Sequence, residues 1–286
     1  MLWKTGRRSQ NVEDRRGIGI TRGVGGSGIG IVLIVLAALF FDIDPRILMQ
    51  GTEILSNGSE TNQTRSQLVP PGQEEAKEFT SVILADTEDT WKMLLSEQLN
   101  KNYIEPTLVL FSGAVQSACG FAQAAMGPFY CPYDQKVYID LSFFEDMKKL
   151  GASGDFAQAY VIAHEIGHHI QTLLGISEKI MKDGKHLNRQ QRNSLSVRQE
   201  LQADCFAGVW ANNAHRARNI LERGDIEEGL DAASAIGDDR LQKQSQGYII
   251  PESFTHGSSK QRVDWFKKGL TSGKISDCDT FSTKKL

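Results

Sequence analysis

The sequence predicts an α+β domain, helix-dominated, with a small β-sheet or hairpin, preceded by one transmembrane helix. Three observations predict it. An uncharged apolar run occupies residues 23–41. Short strand-like segments fall between residues 107 and 141. Long stretches with apolar residues every three to four positions lie on both sides of them. A length of 286 residues suits one membrane segment plus one domain of ordinary size. With 40% hydrophobic and 23% charged residues the chain can bury a sizeable core, and a net charge of −3 gives no basis for a nucleic-acid partner.

Residues 1–22 carry Lys4, Arg7, Arg8, Arg15, Arg16 and Arg22 against only Glu13 and Asp14. This reads as a basic cytoplasmic tail. The run at 23–41 ends at Asp42 and is near the lower length limit for a spanning helix. Positive charge before it predicts that the N-terminus stays inside, and the rest of the chain then lies outside the cytosol. A cleaved signal peptide fits less well, because Phe40-Phe41-Asp42 is a poor cleavage site. The expectation is an inner-membrane, single-pass protein with its domain on the periplasmic side. Residues 42–75 are polar and rich in turn-formers, which predicts a flexible linker, with Asn57 and Asn62 in Asn-x-Ser/Thr triplets. The domain proper is expected over 76–286.

Within it, residues 74–99 read as a helix with a break near Asp86. Residues 107–111 read as a buried strand, and 129–131 with 136–141 as a hairpin whose second strand offers an edge to an extended peptide. Helix is expected over 156–174, started by Ser153 or Asp155 and stopped by Gly175. Further helices are expected at 188–221, 225–241 and 258–268, the last capped by Ser258 and stopped by Gly269.

The helix at 156–174 contains His164-Glu165-Ile166-Gly167-His168. Residues four apart on a helix project side by side, so the two imidazoles can grip one ion, with Glu165 beside them as base. The flanking Ala159, Tyr160, Val161, Ile162 and Ala163 predict burial, and buried histidines need partners. His169 is five residues from His164, points elsewhere, and is read as structural. A catalytic Zn2+ requires a third protein ligand and one open position. Gln171 and Leu174 exclude one common class of third ligand. Glu200, in Glu200-Leu201-Gln202-Ala203-Asp204, is the better candidate, with Asp204 as hydrogen-bond acceptor for a ligating histidine and Glu178 as the fallback ligand. Gly167 makes sense if the helix carrying Glu200 approaches closely there.

The stretch 111–266 resembles the bacterial neutral zinc metallopeptidases, which are membrane-anchored. The resemblance rests on Cys119-Gly120, Gly127-Pro128-Phe129-Tyr130-Cys131-Pro132, Tyr138-Ile139-Asp140-Leu141, His164-Glu165-Ile166-Gly167-His168-His169, the Glu200 to Asp204 segment and Thr255-His256-Gly257-Ser258-Ser259. It implies a zincin-like fold, zinc ligands His164, His168 and Glu200, catalytic Glu165 and a peptide or protein substrate. A wider similarity to membrane zinc endopeptidases of the prenyl-protein-processing and heat-shock type implies His256 and Arg262 as stabilisers of the transition state. This chain departs from those relatives in carrying Gly257 where they usually carry proline, and in having one apolar run rather than several. The alternatives are a silent zincin-like module that binds peptides or partners, and a zinc amidase acting on cell-wall peptides. An extracytoplasmic site favours disulfides, and sequence proximity suggests Cys119–Cys131 and Cys205–Cys278.

Overall fold

The computed structural model describes residues 1–17 and 73–283. The apolar run at 23–41, most of the expected linker, and Asn57 and Asn62 lie outside these residues. No helix among the described residues is long and apolar enough to cross a membrane.

The first seventeen residues, expected as part of a tail distinct from the domain, are built into it. Met1 and Trp3 are buried, and strand β1 (Val12–Asp14) pairs in parallel with β2 (Thr107–Phe111). Several of the basic residues there are matched to acids of helix α1 (Gln73–Leu99) or of β1. Arg7 pairs with Glu88 and Asp89, Arg8 with Glu78, and Arg16 with Asp14 and Glu74. Buried Glu88 also accepts hydrogen bonds from Ser9 (2.6 Å) and Asn11 (2.9 Å). A cluster of cations in sequence therefore reflects a neighbouring acidic helix as much as a membrane flank.

α1 runs unbroken through Asp86. That residue is tolerated in mid-helix because its carboxylate accepts from the Trp210 indole at 2.8 Å and from Arg218. Phe79, Ile83, Trp91, Leu94 and Leu95 are all buried, as their periodicity predicts. After β2 come the hairpin β3 (Ala114–Ser117) and β4 (Gly120–Gln123), then β5 (Phe129–Cys131) and β6 (Lys136–Asp140). The main sheet has the order β1-β2-β6-β5, with β5 antiparallel to β6 and the other pairs parallel. β6, expected as the free edge, is thus paired on both sides, and β5 is the edge. Disulfides join Cys119 to Cys131 and Cys205 to Cys278.

Helices α2 (Phe143–Lys149), α3 (Asp155–Leu173), α4 (Ile176–Gly184), α5 (Arg189–Arg218), α6 (Asp225–Ala235), α7 (Asp238–Gln246) and α8 (Ser259–Ser272) complete the domain. Neither Ser153 nor Asp155 caps α3. Glu228 of α6 accepts from the Phe156 amide (3.1 Å), and the Met1 ammonium lies 2.8 Å from Asp155. The expected helix at 225–241 is split at Ile236-Gly237, where a side chain on Gly237 would collide with Ser259. α8 starts at the Ser258 cap but runs past Gly269. Gly269 is a packing residue rather than a stop, because any Cβ there would overlap the Cys205 carbonyl of α5.

Candidate metal centre

α3 is buried on nearly all sides, and α5 crosses it where the backbones almost touch. A Cβ on Gly167 would lie 2.9 Å from the Ala203 carbonyl oxygen. This close approach, expected from the glycine, brings the His164 and His168 face of α3 against the Glu200 face of α5. The Nε2 of His164 is 3.1 Å from one Glu200 oxygen, and the Nε2 of His168 is 3.4 Å from the other. One ligand atom from each of the three residues lies within 4.8 Å of the other two.

The donor set fits zinc. A tetrahedron with bonds of about 2.0–2.1 Å has edges of about 3.3 Å, close to the two separations just given. Both imidazoles are also held with Nε2 free for an ion. The Nδ1 of His164 is 2.8 Å from Asp204 Oδ1, and the Nδ1 of His168 is 2.9 Å from Gln171 Oε1. Burial opposes charge on His164, but Asp204 and Glu200 outweigh it and push the imidazole up to about 9. Burial likewise opposes charge on Glu200, and His168 and His164 outweigh it and hold the carboxyl well below its usual range. The cage therefore favours positive charge between its acids, which is what a divalent cation supplies. Burial, with Glu200 nearby, raises the Glu165 carboxyl.

Asp204 is fully buried at the centre of a network. It accepts from Arg262 Nε and Nη2, both at 2.9 Å, and from the Tyr160 hydroxyl. Arg262, expected to stabilise an oxyanion, lines the cleft with these two donors on Asp204 and its Nη2 3.4 Å from His164 Nδ1. His256 does stand on the cleft wall, about half exposed. Its loop is wrapped around Asp238, which accepts from the backbone amides of Thr255 (2.7 Å), His256 (2.7 Å) and Gly257 (3.0 Å) and lies 3.3 Å from His256 Nδ1. Proline at 257 would lack that N–H and could not adopt the observed φ of 100°, which explains the departure from the wider relatives. Glu178, the fallback ligand, is exposed, paired with Lys182 and outside the His164, His168 and Glu200 cluster. His169 contacts Tyr130 (3.0 Å) and the Ile104 carbonyl (2.6 Å), and burial lowers its pKa to about 4, in line with a structural role.

The sequence does not single out Asp238, and it presents Tyr160 and Gln171 only as a burial flank and as excluding one class of third ligand. Tyr160 and Gln171 sit four residues before His164 and three after His168, positions that helical spacing alone could have flagged. The cleft over the cage has a volume of about 410 Å³. Its other walls are mainly apolar and include Met126, Phe129, Phe143, Val161 and Leu241, with Ser177 and Gln199 as polar exceptions.

A buried helix bearing His-Glu-x-x-His, with a carboxylate from a second helix closing the cage, defines the class of zinc-peptidase-like metal sites. The chain belongs to the family described as "Putative neutral zinc metallopeptidase", whose model matches residues 1–281. It is 50% identical to "Uncharacterized protein YpfJ" of Escherichia coli (strain K12) over 98% of this chain and 99% of that protein. It is 43% identical to "Uncharacterized protein Rv2575" of Mycobacterium tuberculosis (strain ATCC 25618 / H37Rv) over 68% of this chain and 67% of that one. No solved structure matches the chain.

Proposed function

We propose that this chain is a zinc-dependent endopeptidase, with His164, His168 and Glu200 as ligands and Glu165 as general base. The observation that carries the reading is the convergence of two Nε2 atoms and one carboxylate, with each Nδ1 committed to a separate partner. Zinc bound there supplies Lewis acidity, which polarises a peptide carbonyl and brings the pKa of water toward ~7. Glu165 lines the cleft next to the ligands and takes the proton of the attacking water on a carboxylate oxygen. It then returns that proton to the leaving nitrogen. His256, positioned by Asp238, donates from the cleft wall to the developing oxyanion. An extended substrate adds to the free edge of β5, whose Phe129 and Tyr130 line the cleft, and seats apolar side chains against its walls.

The two disulfides support an oxidising, extracytoplasmic location. The pairing of β1 with β2 requires residues 12–14 and 107–111 to lie on the same side of a membrane.

The test is metal analysis of the purified full chain together with cleavage of an unfolded protein, with and without chelator, in wild type and Glu165→Gln. The expected result is one zinc in both proteins, with cleavage in the variant reduced by about 10²–10⁴. Absence of zinc, or equal activity in both proteins, overturns the reading.

A further inference from the structure

We propose that Gln171 and Gln202 are positioning residues that transmit the polarity of one backbone carbonyl to the metal ligand His168. The proposal rests on the metal centre argued above. His168 is held differently from His164. Its Nδ1 meets no carboxylate but the side-chain oxygen of Gln171 at 2.9 Å, one turn along α3. Gln171 is fully buried, and its amide nitrogen donates to the Gln199 carbonyl at 2.7 Å and to the Gln202 side-chain oxygen at 3.1 Å. The amide nitrogen of Gln202 in turn donates to the Cys278 carbonyl at 2.9 Å.

A glutamine amide can face either way in isolation, but a main-chain carbonyl can only accept. The Cys278 carbonyl therefore fixes the orientation of Gln202, which fixes Gln171. The Gln199 carbonyl fixes Gln171 a second time. With the Gln171 oxygen turned toward it, His168 Nδ1 must carry a hydrogen, and the lone pair is left on Nε2, which faces Glu200. The chain of bonds starts at a residue whose place is set by the Cys205–Cys278 disulfide. The C-terminal segment thus presets the tautomer of a ligand on a helix about a hundred residues earlier in sequence.

The test is the zinc dissociation constant of the full chain, measured by chelator competition, with circular dichroism of each metal-free protein as a check on folding. Gln171→Met removes the acceptor and should weaken zinc binding about 10–100-fold, the range for a lost partner of a metal-bound histidine. Gln171→Glu keeps an acceptor for Nδ1 but loses the donor to the Gln199 carbonyl, so it should restore only part of that loss, a rescue that a merely structural role would not produce. Gln202→Met should weaken binding by a smaller factor and add little in the Gln171→Met background, because both act along one path. Unchanged affinity in folded Gln171→Met, no rescue by glutamate, or fully additive losses each overturns the proposal. A wild type that binds no zinc instead overturns the function on which it rests.

Discussion

Gly167→Ala decides between two opposing effects of known size. Alanine inside a helix is favoured over glycine by about 1 kcal/mol, so on propensity alone the variant gains stability. Packing says otherwise. The new Cβ would stand 2.9 Å from the Ala203 carbonyl oxygen, 3.0 Å from its Cα and 3.2 Å from its Cβ. Two of these atoms are backbone of α5, so the contact is relieved only if the helices separate by a few tenths of an ångström. Overpacking of this kind costs roughly 1–3 kcal/mol, leaving a net loss of roughly 0–2 kcal/mol in the metal-free protein.

The effect on zinc should be larger. Glu200 precedes Ala203 by three residues, and His164 and His168 bracket Gly167, so the same displacement enters the ligand separations directly. Metal sites tolerate errors of about 0.2 Å in ligand distance. We expect zinc affinity to fall about tenfold or more, with at most a modest fall in stability. Chelator competition measures the first and urea unfolding of metal-free protein the second. A variant about 1 kcal/mol more stable than wild type, with unchanged zinc affinity, would refute the idea that contact between α3 and α5 sets the cage.

Three further outcomes are expected. Asp204→Asn should weaken zinc binding about 10–100-fold. It should also destabilise the metal-free protein by roughly 3–5 kcal/mol in urea unfolding, since the guanidinium of Arg262 loses its buried counter-charge; two unchanged values would dismiss the network as incidental. The pKa of His164 rises from 6.5 to about 9 on folding. Its protonation thus contributes stability that is fully present below pH 6.5 and is lost as pH rises through about 9. The melting temperature of metal-free protein should fall across that window while apparent zinc affinity rises, because zinc must displace the proton; a flat melting profile contradicts the coupling. Finally, epitope tags placed after residue 17 and at the C-terminus should be reached by an impermeant reagent from the same side of a sealed membrane. Reagent access from opposite faces rules out the pairing of β1 with β2 in the mature protein.

The cage was legible because its chemistry is local. His164, Glu165 and His168 lie on one helical turn, Glu200 and Asp204 on another, and each run is flanked by apolar residues that betray burial. The buried glycine then gave the one long-range clue, that two helices meet at Gly167. Arg262 was found by its place in the chain, but its buried partner was not. A lone arginine in sequence carries no sign of which carboxylate it faces, and its commitment to Asp204 depends on α8 crossing α5 at Gly208 and Gly269.

For a related reason the packing of the N-terminal segment was not legible. Charge asymmetry beside an apolar run is a membrane-orientation signal only if those charges stay solvated. Here Arg7, Arg8 and Arg16 meet Glu88, Glu78 and Glu74 of a helix that begins more than fifty residues later. The exposed Arg8–Glu78 pair contributes only about 0–1 kcal/mol, and the other two each bury only one partner, so charge does not by itself hold the segment down. The burial of Met1 and Trp3 and the ladder of β1 onto β2 do that work, and a three-residue strand has too few positions to show a period. Docking of this segment places the Met1 ammonium beside Asp155 at the first turn of α3, three turns of helix ahead of His168. The first residues are therefore packed against the start of the helix that carries two of the three candidate ligands.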